Sequence, residues 1–155
     1  LLLDTIISRC QIIRFKPYSN QELKQFLDQS KTENIDLSSD NELLENLIFI
    51  SNGSPGKLLD NIGLWNQISE NIKHAIKLPL KNYESILFLA KNISNDLDLV
   101  QQEFLLSYMQ RDWWRRTKNK KIADILENIK NNINSNVQPR ISWEVGLLKI
   151  KLENS

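Results

Sequence analysis

Four prolines divide the chain, and each limits what its neighbourhood can become. Proline lacks a backbone N–H and its ring collides with the preceding helical turn, at a cost of about 3 kcal/mol inside a helix. Pro17, Pro55, Pro79 and Pro139 must therefore stand at element boundaries. Between them, apolar residues recur at helical spacing. Leu23, Phe26 and Leu27 follow Ser19-Asn-Gln-Glu22, a capping box in which hydroxyl and carboxylate exchange hydrogen bonds with backbone amides. Ser39-Asp-Asn-Glu42 repeats the device before Leu43, Leu44, Leu47, Ile48 and Phe49. A third helix is predicted from Ser54, with Pro55 at its first position, where no N–H is needed. Leu58, Leu59, Ile62, Trp65, Ile68, Ile72 and Ile76 continue its spacing up to Pro79.

The N-terminal stretch departs from this pattern. Ile6, Ile7, Ile12 and Ile13 are β-branched and suit a pleated, half-buried strand that Pro17 ends. Arg9 lies inside it, either as a solvated edge residue or as a placed functional cation. The chain opens on Leu1 in what reads as mid-strand, without partners for its ladder, so it is expected to be the C-terminal piece of a larger protein.

Past Lys77-Leu-Pro-Leu80, the best interdomain boundary, four further helices are predicted. Ile86, Leu87, Ala90 and Ile93 mark one. Leu97, Val100, Phe104, Leu105, Tyr108 and Met109 mark the next, which runs on into the tryptophans. Ile122, Ile125, Leu126, Ile129 and Ile133 form a third stripe. Ile141, Val145, Leu148 and Leu152 form the last, starting near Asn136. The expected fold class is all-α: a three-helix bundle, then a second helical domain, with one remnant strand.

Composition removes several kinds of chemistry. One cysteine and one histidine cannot supply the four or so ligands of a Cys/His zinc site, and no intrachain disulfide can form. A reducing, cytoplasmic compartment is the natural reading. His74, between Lys73 and Ala75, reads as an ordinary helix residue. A formal net charge of +1 gives no chain-wide basic footprint for nucleic acid. No apolar run approaches the roughly 20 residues that span a bilayer.

Two motifs invite functional readings. Ser51-Asn-Gly-Ser-Pro-Gly-Lys57 suggests a phosphate loop, but Gly53 and Gly56 stand three apart and Lys57 is followed by Leu58. That spacing does not build the amide ring of a P-loop. A helix–helix turn, with Gly53 ending one helix and Ser54 capping the next, is the simpler account, although amides at a helix start can face an anion. Arg111-Asp-Trp-Trp-Arg-Arg116, followed by Lys118, Lys120 and Lys121, is the most basic and aromatic stretch. It reads either as a base-stacking platform or as a helix end with core tryptophans and cations that complement the helix dipole. Adjacent tryptophans point about 100° apart on a helix, which disfavours a shared stacking face. Carboxylates are dispersed, with no paired arrangement for acid–base work.

Three stretches together resemble the C-terminal half of bacterial DNA polymerase III clamp-loader subunits of the AAA+ superfamily, above all the delta-prime family. They are Thr5-Ile-Ile-Ser-Arg-Cys-Gln11 with Phe15 and Pro17, Ser51-Asn-Gly-Ser-Pro-Gly-Lys57, and Asn136-Val-Gln-Pro-Arg-Ile-Ser-Trp-Glu144 with Leu147 and Leu148. The resemblance implies a remnant strand of the AAA+ core over 1–17, a three-helix AAA+ lid over 18–78, and a helical collar for oligomerisation over 79–155. It implies that the Walker motifs lie upstream, and that Arg9, in the Ser8-Arg9-Cys10 motif, is an arginine finger offered in trans to ATP on a neighbouring subunit. Such a guanidinium contributes about 10³–10⁵ in rate in phosphoryl-transfer systems. Cys10 reads as a small packing residue.

In ATP-hydrolysing relatives an arginine that senses the γ-phosphate stands two residues after the serine of the second motif. Here the corresponding segment is Gly53, Ser54, Pro55, Gly56 and Lys57, and the sensor position is Gly56. A degenerate sensor fits delta-prime, which resembles its ATPase partners without generally hydrolysing ATP. Asp4 also replaces the proline usual before Thr5. The family's collar places Arg140 and Glu144 among the assembly residues. The implied partners are the gamma/tau and delta subunits, and, through the complex, the sliding clamp and primer-template DNA. No cofactor or metal is expected in this chain, and no catalysis of its own; it would act within a DNA-directed DNA polymerase holoenzyme. The rival readings are a gamma/tau-type ATPase subunit and a helical nucleic-acid-binding module using Trp113 to Lys121.

Overall fold

The computed structural model describes residues 16–29, 41–135 and 137–153, which form eight α-helices and no strand. They are α1 (Asn20–Gln29), α2 (Asn41–Ile50), α3 (Pro55–Gln67), α4 (Glu70–Ala75), α5 (Tyr83–Asp96), α6 (Leu99–Thr117), α7 (Lys120–Asn134) and α8 (Pro139–Glu153). The predicted opening strand with Ser8, Arg9 and Cys10, the Ser39-Asp40 half of the second capping box, and Asn136 lie outside the described residues.

Local chemistry sets most helix starts. Before α1 the Ser19 amide donates to Glu22 Oε2 at 2.7 Å and the Glu22 amide to Ser19 Oγ at 3.3 Å, closing the predicted box. Two further boxes open α5 and α6. Asn82 and Ser85 exchange bonds at 2.8 and 3.2 Å, and Asp98 and Gln101 at 2.8 and 3.0 Å. Pro55 and Pro139 are the first residues of α3 and α8.

The predicted third helix is divided. Ile68 and Ser69 are extended, so α3 stops at Gln67 and α4 starts afresh at Glu70. Trp65, Ile68, Ile72 and Ile76 keep a helical interval across the break, which hides it in the sequence. The cause is tertiary. α3 packs on α2 and α6, whereas α4 packs on α5, and one straight helix does not reach both.

The core runs without interruption from Leu23 to Ile150. α6 is central to it: Leu105, Leu106, Met109 and Trp113 are buried, and the Trp113 indole donates to Ile76 O at 3.0 Å. α8 packs between α5 and α7 through Trp143, Gly146, Leu147 and Ile150. Gly146 allows the approach to α7, because a Cβ there would stand 2.3 Å from Ile129 Cδ1. The Trp143 indole donates to Gln102 Oε1 at 2.9 Å, and Gln102 donates to Leu97 O at 2.9 Å, so the buried amide is satisfied on both sides.

Three apolar assignments change. On α5 the buried set is Ile86, Leu89, Ala90 and Ile93, and Leu87 is exposed. Val100, at the start of α6, is exposed as well. On α8 the apolar stripe seen in the sequence faces out: Ile141, Val145 and Leu152 are 50%, 46% and 64% exposed, with Leu148 half-buried at the edge of the core. At about 100° per residue these four lie opposite Trp143, Gly146 and Ile150, so α8 has two apolar faces.

Candidate functional site

The 51–57 segment is a built turn. The Ser51 amide donates to Leu47 O at 3.1 Å, the Asn52 amide to Phe49 O at 3.3 Å, and the Ser54 amide to Ser51 O at 3.1 Å. Ser54 Oγ accepts from the Lys57 amide at 3.3 Å and caps α3. These amides already have acceptors and are not arrayed around an anion. Gly53 has φ +77°, and a Cβ there would meet Pro17 Cβ at 2.5 Å and Tyr18 O at 2.8 Å. The Tyr18 amide donates to Gly53 O at 2.9 Å, so the turn receives the chain leading into α1. Gly56 sits in the first turn of α3, exposed, with open space where a Cβ would lie. Its glycine is not required by packing, and Lys57 beside it is exposed.

The 111–116 cluster is organised by α2. Glu45 and Asn46 stand one turn after Glu42 on α2, the spacing that Arg115 and Arg116 keep after Asp112 on α6. Arg115 reaches Glu45 at 3.5 Å and donates to Asn46 Oδ1 at 3.1 Å. Asn46 Nδ2 donates to Asp112 Oδ1 at 3.1 Å, with both residues buried. Arg116 donates to Asp112 Oδ2 at 2.9 Å and reaches Glu42 at 3.0 Å. The hydrogen bond to Asp112, ahead of opposing burial, raises the Arg116 pKa above its ordinary value. Two of the three arginines therefore serve as inter-helix connectors. The adjacent tryptophans diverge: Trp113 is buried, and Trp114 is 40% exposed.

Arg111 differs from its neighbours. Its guanidinium lies 3.7 Å over the Phe49 ring, and its buried Nε–H has no acceptor. Burial, then repulsion by Arg115, lowers its pKa from the ordinary value. Sequence reasoning grouped Arg111 with Arg115 and Arg116 and missed the Asn46–Asp112 pair. The only signal for that pair was the matching spacing of polar residues on the two helices.

Arg140 and Glu144, the sequence-predicted assembly residues, lie on α8, where Arg140 Nε donates to Glu144 Oε1 at 2.8 Å. One turn of helix separates them, and they flank the outward stripe of Ile141, Val145, Leu148 and Leu152. Arg140, the turn at 51–57 and the 111–116 cluster are not brought together as one site. Among the described residues no group of His, Cys, Asp or Glu is placed to hold a metal, and no helix is long and apolar enough to cross a membrane.

A family model of the cyanobacterial DNA polymerase III delta prime, C-terminal domain, matches residues 21–150. The chain belongs to that family. The match takes in α2 to α7 whole, and α1 and α8 apart from their outer ends. The all-α architecture agrees with a delta-prime C-terminal domain, a part of a clamp-loader subunit. No curated protein and no solved structure matches the chain at a significant level.

Proposed function

We propose that this chain is the lid and collar of a delta-prime subunit, and that it joins the gamma/tau and delta subunits through the outer face of α8. The observation that carries this reading is the second apolar face of that helix. Four apolar residues at spacings of four, three and four make a narrow seam of the kind a partner helix packs into, and Arg140 and Glu144 border it. A soluble domain rarely leaves such a stripe uncovered without an interaction to serve.

In this reading residues 18–78 form the lid and 79–155 the collar, and Arg9 acts in trans on ATP held by a neighbour. The chain holds no nucleotide or metal of its own. Gly56 supports this, since a glycine in the sensor turn has no side chain for a γ-phosphate. The complex works in the cytoplasm, placing the sliding clamp on primer-template DNA.

The test uses the full-length subunit in a reconstituted loader. Ile141→Asp with Val145→Asp is expected to abolish incorporation into the complex while leaving thermal unfolding unchanged. Arg9→Ala is expected to leave assembly intact and to lower DNA-stimulated ATP turnover by about 10³ or more. Normal incorporation of the double variant overturns the assembly face. Unchanged turnover in Arg9→Ala overturns the finger.

A further inference from the structure

A cleft of about 520 Å³ opens between the end of α2, the turn at Asn52, the middle of α6 and the start of α7. Phe49 and Trp114 line it and are 50% and 40% exposed, and Arg111 lines it over the Phe49 ring. That volume falls within the range of sites that take a small ligand or a peptide side chain. Arg111 is the arginine of its cluster without a hydrogen bond or ion pair among the described residues; its contact is the Phe49 ring face. Arg115 and Arg116 each have a carboxylate. A guanidinium held by its face against a ring presents its N–H edge in one plane, the geometry a carboxylate meets with two parallel hydrogen bonds.

We propose that this cleft binds a carboxylate-bearing peptide segment of a partner protein. The carboxylate sits on Arg111 and an adjoining large apolar side chain packs against Phe49 and Trp114. The surroundings favour a single carboxylate over a polyanion. Glu45 lies within the field of Arg111, and Glu127 accepts from the lining Gln110 at 2.8 Å. Both repel a run of phosphates and leave one carboxylate tolerable beside the guanidinium and Lys118, whose ammonium is 5.9 Å from the Trp114 ring. Burial and then Arg115 lower the Arg111 pKa against the opposing field of Glu45, so a carboxylate seated in the cleft would further stabilise the charged form. The site is separate from the α8 face and does not depend on the assembly reading.

The experiment measures fluorescence anisotropy of labelled peptides with the full chain. The probe is Gly-Ser-Gly-Ser-Asp-Phe with a free C-terminus. The same peptide as its amide keeps a single side-chain carboxylate and separates it from the terminal one, and Gly-Ser-Gly-Ser-Asn-Phe amide is the neutral control. Binding of an acidic form at about 10–100 µM is expected, with no saturation by the neutral control. Arg111→Met is expected to weaken binding about tenfold or more, the scale of a charge-assisted hydrogen bond, with Arg111→Lys between it and wild type. Trp114→Ala is expected to weaken binding severalfold without unfolding the chain. If Arg111→Met does not fold, the acidic-against-neutral comparison on wild type and Trp114→Ala decides. Equal binding of the neutral peptide, an unchanged affinity in Arg111→Met, or no binding of any peptide overturns the proposal. Preferential binding of a thymidine oligonucleotide with the same Arg111 dependence overturns it in favour of a nucleic-acid site.

Discussion

Helices α6 and α8 carry similar residue types and use them in opposite ways. Both bury one tryptophan whose indole N–H is satisfied inside the core, Trp113 on Ile76 O and Trp143 on Gln102. α6 then turns its charged positions toward α2, which a buried Asp112 and the more exposed Arg115 and Arg116 clasp. α8 keeps a second apolar face outside, with its charges paired along the flank. A conspicuous charged cluster is thus largely internal connection, and an unremarkable apolar stripe is the exposed surface. Residue type alone does not say which side of a helix meets its neighbours.

The sharpest break in this comparison lies within α6. Trp113→Ala is expected to lower unfolding free energy by about 3–5 kcal/mol in urea titration, through the cavity and the lost bond to Ile76. Trp114→Ala, one residue on, is expected to change it by no more than about 0.5 kcal/mol. Equal effects would mean that the two rings are not divided between core and surface.

Asp112 tests whether the α2–α6 connection stabilises the fold. Asp112→Ala leaves the buried Asn46 amide without an acceptor and loosens Arg116. A loss of about 1–3 kcal/mol is expected. Arg140→Ala removes a partly exposed pair on α8 and is expected to change stability by less than about 0.5 kcal/mol.

Two glycines offer a finer contrast. Gly146→Ala drives a methyl into Ile129 at the α7–α8 contact, and a loss of about 1–2 kcal/mol is expected. Gly56→Ala enters open space in a helix and is expected to gain about 0.5 kcal/mol. Thermal melts of the two variants should move in opposite directions.

The smallest effect is electrostatic and distinguishes the exposed caps from the buried core. The Ser19 amide, then its hydroxyl, holds the Glu22 carboxyl below its ordinary value of 4.5. A depressed folded value adds stability that is complete above 4.5 and is lost as pH falls through the lower folded value. Glu22→Gln keeps the hydrogen-bond acceptor and removes the titration. Its melting temperature is therefore expected to fall less steeply than wild type between about pH 5 and about pH 3. Parallel curves would show that this cap does not couple to global unfolding.

Much of this was legible in the order of residues, because caps, prolines and apolar intervals act within a turn or two. The all-α class, the four helices beyond Pro79, the Ser19–Glu22 box and the Ser54 cap follow from such local rules. The break at Ile68 and Ser69 was not legible, since the apolar interval survives it and its cause is the separate docking of α3 and α4. Nor was the partnering of Arg115 with Glu45 and Asn46 and of Arg116 with Glu42, which stand more than 60 positions away on α2.

By itself the sequence determined where the capped and proline-bounded helices begin and which stretches are amphipathic. α8 shows the limit of that information. Its two opposed apolar faces are equivalent as patterns, and only the packing of α5 and α7 decided that Trp143, Gly146, Leu147 and Ile150 go inside. Gly146 supplies the physical reason: the missing Cβ lets that face approach Ile129, where a Cβ would stand 2.3 Å from its Cδ1. Tertiary structure likewise left Arg111 on Phe49 while its neighbours found carboxylates, because only their positions match the acids of α2.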